Sequence, residues 1–230
     1  MTVTRKAVDQ NMQGANARES ILASIRQNLA ASRAFDDDHA GATFNDESTH
    51  FPSLSRGELI DNFKRNLDLV GGHCHIVSDM SEAAEAAFKI IDSLSATNIA
   101  ISDSPIVAAI TDGLSVDVVV NADPEYLFAS DVGITGAQYA IAETGTLVLE
   151  SDAERHRLTS LVPPVHICIL EAGNIRQTLV EILEIVQSDL SRTVTFITGA
   201  SRTSDIELTL AIGVHGPREL HVVVIDDHRP

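Results

Sequence analysis

The sequence predicts an α/β fold: a mostly parallel sheet flanked by helices. Two observations predict it. From about residue 55 onward, short apolar runs rich in β-branched residues alternate with stretches whose apolar residues recur at helical spacing. Such strand–helix alternation is the pattern of a parallel sheet covered on both faces. The chain also has 230 residues, 44% of them hydrophobic, enough for one stable core without disulfides or structural metal.

The elements follow in order. Residues 1 to about 17 are polar and without pattern. A helix is expected over 18–33, where Ile21, Leu22, Ile25 and Leu29 share one face. The stretch from Phe35 to Pro52 is acidic and rich in small residues, and reads as a linker. This divides the chain into an N-terminal extension, 1–50, and a main domain, 51–230. In the main domain Ser55 is placed to cap a helix carrying Leu59, Ile60, Phe63, Leu67 and Val70, with Gly71-Gly72 as its stop. A strand at 75–77 and an Ala-rich helix at 81–94 come next. A short strand at 98–101 leads to a helix near Pro105, whose ring suits a first turn, and to a strand at 116–120. The segment 132–150 is apolar on both sides of Thr144-Gly145, which predicts a tight hairpin or a strand broken by a turn. Then come a strand at 165–170, a helix at 174–190, a strand at 194–198, a helix after Ser204 carrying Ile206, Leu208, Leu210 and Ile212, and a last strand at 220–225.

Bulk properties narrow the function. The formal net charge is -17. So acidic a chain is a poor partner for nucleic acid or an anionic membrane surface. The two cysteines, Cys74 and Cys168, lie far apart in apolar, strand-like runs and show no cluster-binding spacing, so buried free thiols in a reducing cytoplasm are expected. No leader-like apolar core and no apolar run of membrane-spanning length is visible.

Four segments carry chemistry. In Ala140-Ile141-Ala142-Glu143-Thr144-Gly145-Thr146, a carboxylate precedes a turn inside an apolar stretch. Burial would raise its pKa for acid–base work; the alternative is a turn with Glu143 facing water. In Arg155-His156-Arg157, two cations stand in an acidic chain, either to clamp a carboxylate or phosphate or to pair with Asp152 and Glu154 at the surface. The segment Gly199-Ala200-Ser201-Arg202-Thr203-Ser204-Asp205-Ile206-Glu207 follows a strand. With a helix after it, free N–H groups and Arg202 would hold a small anion; the hydroxyls alone would also suit a helix cap. In Gly213-Val214-His215-Gly216-Pro217, a histidine between glycines is either an accessible proton shuttle or part of a plain turn. His73 and His75 share a strand face, but no further ligand spacing accompanies them, and no metal site is assigned.

At these segments the chain resembles the lactate utilisation protein C family, built around the LUD domain. The resemblance is carried by Gly133-Ile134-Thr135 with Ala140 to Thr146, by Arg157 through Pro163-Pro164-Val165-His166-Ile167, by Gly199 to Glu207, and by Gly213 to Pro217. It runs from about residue 55 to 225. Two positions depart from the family's Gly-Pro-Ser-Arg-Thr-Ala-Asp-Ile-Glu pattern: Ala200 stands for Pro and Ser204 for Ala.

The resemblance implies a fold similar to the ribose-5-phosphate isomerase and CoA transferase (NagB/RpiA-like) superfamily. It implies a bacterial, cytoplasmic role in L-lactate catabolism, as a subunit of a system oxidising L-lactate to pyruvate. Iron–sulfur clusters are then expected in partner subunits, with no cofactor in this chain. On residue chemistry, Glu143 and His215 are the candidate catalytic groups. Thr144, Gly145, Thr146, Arg157, Ser201, Arg202, Thr203, Asp205 and Glu207 are the candidate ligand-binding residues for a small organic anion. Two rival readings stay open. One is a self-contained acyl-transfer enzyme of CoA-transferase type using Glu143. The other is a non-catalytic assembly module docking through Ile21, Ile25 and Leu29.

Overall fold

The computed structural model describes residues 18–27, 52–112, 118–151, 157–188, 191–204, 210–212 and 216–228. The chain divides into two compact units, Met1–Phe51 and Pro52–Pro230. In the first, residues 18–27 form helix α1, on which Ile21, Leu22 and Ile25 are exposed.

The second unit opens with α2 (Arg56–Leu69). Its start follows from Ser55 and Glu58, which form a reciprocal capping box. Its buried face is Ile60, Phe63 and Leu67, at helical spacing. Then follow β1 (Gly72–Val77), α3 (Met80–Ser93, capped by Asp79), β2 (Ile99–Ile101), α4 (Pro105–Thr111), β3 (Val118–Val120), α5 (Pro124–Ala129), β4 (Val132–Gly136), β5 (Tyr139–Ile141) and β6 (Thr146–Glu150). A 3₁₀ turn at Arg157–Ser160 leads to β7 (Val165–Glu171). After it come β8 (Ile175–Arg176), α6 (Leu179–Ser188), β9 (Val194–Ile197), β10 (Arg202–Ser204), β11 (Leu210–Ile212) and β12 (Glu219–Ile225).

The main sheet has six strands in the order β1-β12-β7-β4-β2-β3, every neighbouring pair parallel. Side chains alternate across it as strand geometry requires. Ile167, Ile169, Val223 and Ile225 point to the face covered by Ala83, Ala87, Ile90 and Ile91 of α3 and by Val107 and Ile110 of α4. Cys168, Leu170, Val222 and Val224 point to the opposite face. There they meet Phe63 and Leu67 of α2 and Ala140, Leu147 and Leu149 of the second sheet. Phe63 and Leu67 are fully buried, worth about 1.5–3 kcal/mol each in removed apolar surface. The second sheet, β8-β5-β6-β9, contains the hairpin expected around Thr144-Gly145. Ile182 and Val186 of α6 cover its outer side at Ile141 and Val148. The fold is therefore α/β with a parallel sheet between helical layers.

Three expectations need correction. No helix covers Leu210 and Ile212: they lie in β11, paired antiparallel to β10. Ile206, Leu208, Leu210 and Ile212 recur every second residue, which is the strand period and not 3.6. The helix expected from 174 starts at Leu179, because Ile175 and Arg176 pair with β5. The short helix α5 was not foreseen. Asp123 caps it and Pro124 starts it, both standard helix-start signals.

Candidate functional site

Three glycines seat two loops on the last turn of α2. Gly71 follows the helix with φ +79°, a left-handed conformation that suits glycine at a helix end. A Cβ on Gly71 would stand 2.5 Å from Nη2 of Arg202, so the guanidinium lies directly over it. Gly145, at φ +65°, presses on the backbone of Asn66 and Leu67. The same bend is tied down by Asn66, whose Nδ2 donates to the Ala142 carbonyl at 2.7 Å. Gly199, at φ +77°, packs against the Val70 carbonyl. Segments far apart in sequence thus meet at one helix end.

Beside that end lies a cleft of about 470 Å³, within the size range of small-molecule sites. Val70, Leu161, Phe196, Ile197 and Leu220 supply apolar walls, and Thr198 to Arg202 supply the polar side. Among the described residues Arg202 is the one charged group lining it, and no described carboxylate pairs with that guanidinium. The cleft sits at the amino ends of β7 and β12, where His166 and Leu220 are register partners.

A second cavity of about 570 Å³ lies at the carboxyl ends of β2, β4 and β7. That is where open α/β sheets most often bind ligands. Asp103 and Glu171 line it, however, and would repel an acid. For an anion the Arg202 cleft is the better match.

The expected site residues distribute unevenly. Arg202 and Ser201 line the cleft. The Ser201 N–H donates to the Pro217 carbonyl at 2.8 Å, so it is not a free donor, and the described residues after it, Arg202 to Ser204, form strand β10. Among the described residues Arg202 lies on the antiparallel β10–β11 pair. Thr203 pairs with Ala211 through the β10–β11 ladder. Thr144, Gly145 and Thr146 stand behind the cleft. The Thr144 and Thr146 hydroxyls lie 2.7 Å apart, and the Thr146 and Thr198 hydroxyls 2.8 Å apart. This chain of hydroxyls ends on the cleft wall at Thr198. Arg157 is exposed at the start of the 3₁₀ turn that carries Ser160 and Leu161 to the cleft, and is not itself part of the lining. His215, Asp205 and Glu207 lie outside the described residues.

Glu143 goes elsewhere. Its carboxylate accepts the N–H of Leu179 at 2.8 Å, at the start of α6. Thr178 caps the same helix through the N–H of Glu181 at 3.3 Å. A carboxylate at a helix N-terminus is stabilising, and Glu143 is exposed there. In this arrangement Glu143 serves as a cap of α6.

His166 is the lining residue that sequence reasoning passed over. It is fully buried in β7, and its Nε2 lies 2.8 Å from the Thr135 hydroxyl. Burial pulls its pKa down to about 3, so the ring is neutral at pH 7. The available signal was an ionisable residue inside the apolar run Val165 to Leu170.

Cys74 and Cys168 flank β12, both in register with Val222. Two strand spacings separate them, about 10 Å, too far for a disulfide. Burial raises the Cys74 thiol to about 12, so it is protonated at pH 7. His73 and His75 share a face as expected and stack with His221 of β12. Among the described residues no group of three or more His, Cys, Asp or Glu side chains is placed to hold a metal ion. Nor is any described helix long and apolar enough to cross a membrane.

A mostly parallel six-stranded sheet between helical layers, with a cleft at its amino edge, defines an α/β class of protein. Residues 60–225 match the model of the LUD domain family, and the chain belongs to that family. A "Lactate utilization protein C" of Deinococcus radiodurans is 37% identical over 180 residues, covering 75% of this chain and 82% of that protein. An uncharacterised protein of Neisseria meningitidis serogroup B is 44% identical over 108 residues, 45% of this chain and 46% of its own length. The "Lactate utilization protein C" of Bacillus subtilis is 34% identical over 104 residues, 43% of each chain. The chain thus spans about half the length of several curated relatives it matches. A solved structure, a DUF162 family protein from Deinococcus radiodurans, superposes with TM-score 0.62 at 28% identity, covering 75% of this chain and 99% of that one.

Proposed function

We propose that this chain is a subunit of a lactate-utilisation system that binds L-lactate or a closely related organic acid in the Arg202 cleft. The observation that carries the reading is Arg202, a guanidinium without a described acid partner on the wall of a mostly apolar cleft. Guanidinium binds carboxylates through paired, charge-assisted hydrogen bonds. The names of the relatives supply the kind of acid.

Oxidising L-lactate to pyruvate removes two electrons and two protons. The two thiols here are too far apart to take up an electron pair as a disulfide. In this reading the acceptor of the two electrons is a partner subunit carrying an iron–sulfur cluster. Of the docking residues Ile21, Ile25 and Leu29, the first two are exposed on α1, and Leu29 lies outside the described residues.

Calorimetry with L-lactate on the wild type and Arg202→Ala tests the binding claim. Loss of a charged hydrogen bond weakens affinity by about 1.5–3 kcal/mol, roughly 10- to 150-fold. Equal affinity in the two proteins removes Arg202 from the site.

A further inference from the structure

The inner wall of the cleft carries a second polar group. His166 has no exposed surface, and its ring is held at one nitrogen only, Nε2, by the Thr135 hydroxyl at 2.8 Å. Nδ1 is buried and has no hydrogen-bond partner. The residue also lines the Arg202 cleft. A buried polar atom left unpaired costs about 1–3 kcal/mol, and native structures rarely leave one without a partner. Thr135 fixes the ring on β4 and β7, rigid central strands, so Nδ1 is held in a defined orientation.

The cleft therefore offers two unlike groups. Arg202 is exposed, charged and at the rim; His166 is buried, neutral and at the wall. A matching ligand has an ionised end and an uncharged oxygen. We propose that His166 is a ligand-binding residue of this cleft. Its Nδ1 hydrogen-bonds the 2-oxygen of a 2-hydroxy or 2-oxo acid whose carboxylate is held by Arg202. The inference rests on the anion-binding reading above and adds the selectivity that reading lacks, since a guanidinium alone accepts any carboxylate. A neutral imidazole serves either partner: one tautomer accepts from a hydroxyl, the other donates to a keto oxygen. The low pKa of the buried ring keeps both options free of charge at pH 7.

Side-chain NMR on protein labelled with ¹⁵N in histidine and arginine tests this, with L-lactate, pyruvate and propionate as probes. L-lactate and pyruvate are expected to shift both Arg202 Nε and His166 Nδ1. Propionate, which lacks the 2-oxygen, is expected to shift Arg202 alone. In His166→Gln, L-lactate affinity is expected to fall about tenfold, one neutral hydrogen bond. Propionate affinity should stay within about twofold of wild type, which also reports an intact cleft. Arg202 shifting with all three acids while His166 stays still overturns the role of His166 and leaves the anion site standing. Equal His166 shifts with propionate and lactate overturn the contact to the 2-oxygen. No shift at either residue removes both readings.

Discussion

The Arg202 guanidinium rests on Gly71, with Nη2 2.5 Å from where a Cβ of that glycine would stand. The cation of the cleft is thus positioned by the absence of a side chain on a different element. Gly71→Ala would push it aside and also strain a φ of +79°. The expected result is a loss of L-lactate affinity approaching that of Arg202→Ala, with a stability cost of about 1–2 kcal/mol. Calorimetry and urea unfolding on the same variant read both. An unchanged affinity would show that the guanidinium finds the ligand without this support.

Glu143 and Leu179 make a separable prediction. The carboxylate caps α6 at 2.8 Å and stands away from the cleft lining. Glu143→Ala should cost about 0.5–2 kcal/mol of stability, the range for a lost cap, with L-lactate affinity unchanged. Incubation with an acyl-CoA followed by mass spectrometry should find the Glu143 peptide unmodified. An acyl adduct there would restore the acyl-transfer alternative.

Gly145 and Gly199 are held to glycine by backbone and not by flexible side chains. Gly145 meets the Leu67 N–H and Gly199 the Val70 carbonyl, both at positive φ. Alanine at either position should destabilise by more than about 2 kcal/mol, since neither obstacle can rotate away. Thermal unfolding measures this. A shift of less than a degree would mean that the α2 end yields, contrary to the packing described.

The buried histidine gives a pH dependence. His166 falls from an ordinary 6.5 to about 3 on folding. Above pH 6.5 both states are neutral and its contribution is complete. Between 6.5 and 3 the unfolded chain takes up a proton that the folded chain refuses, so stability falls as pH drops. The slope reaches about 1.4 kcal/mol per pH unit. Burial lowers His75 and His221 too, in the same direction. Urea unfolding should therefore lose about 1 kcal/mol from His166 between pH 7 and 5.5. His166→Gln should flatten that part of the curve. An identical slope in the variant would show that the ring is protonated in the folded state.

Much of the fold was legible because its signals are local. The capping box at Ser55 and Glu58, the Pro105 start, the Thr144-Gly145 hairpin and the strand at 165–170 each depend on neighbours within a few residues. The stretch after Ser204 failed for the same kind of reason. Its alternating Ile and Leu also fit a helix face by composition, and only pairing with β10 assigns Leu210 to Ile212 to a strand.

The candidate site was legible only in part. Arg202 stood out as a cation in a chain of charge -17. Glu143 stood out equally, yet its partner is the N–H of a residue 36 positions away. His166 did not stand out, because a buried histidine looks like any polar interruption of a strand until β4 brings Thr135 to one nitrogen and leaves the other bare. What this sequence determined alone was most of its helices and strands, its family and the presence of an unusual cation. Which side chains share a cleft was decided by tertiary packing. The loops at Gly145 and Gly199, far along the chain from α2 and from each other, meet on its last turn, at distances set by missing Cβ atoms that no local pattern encodes.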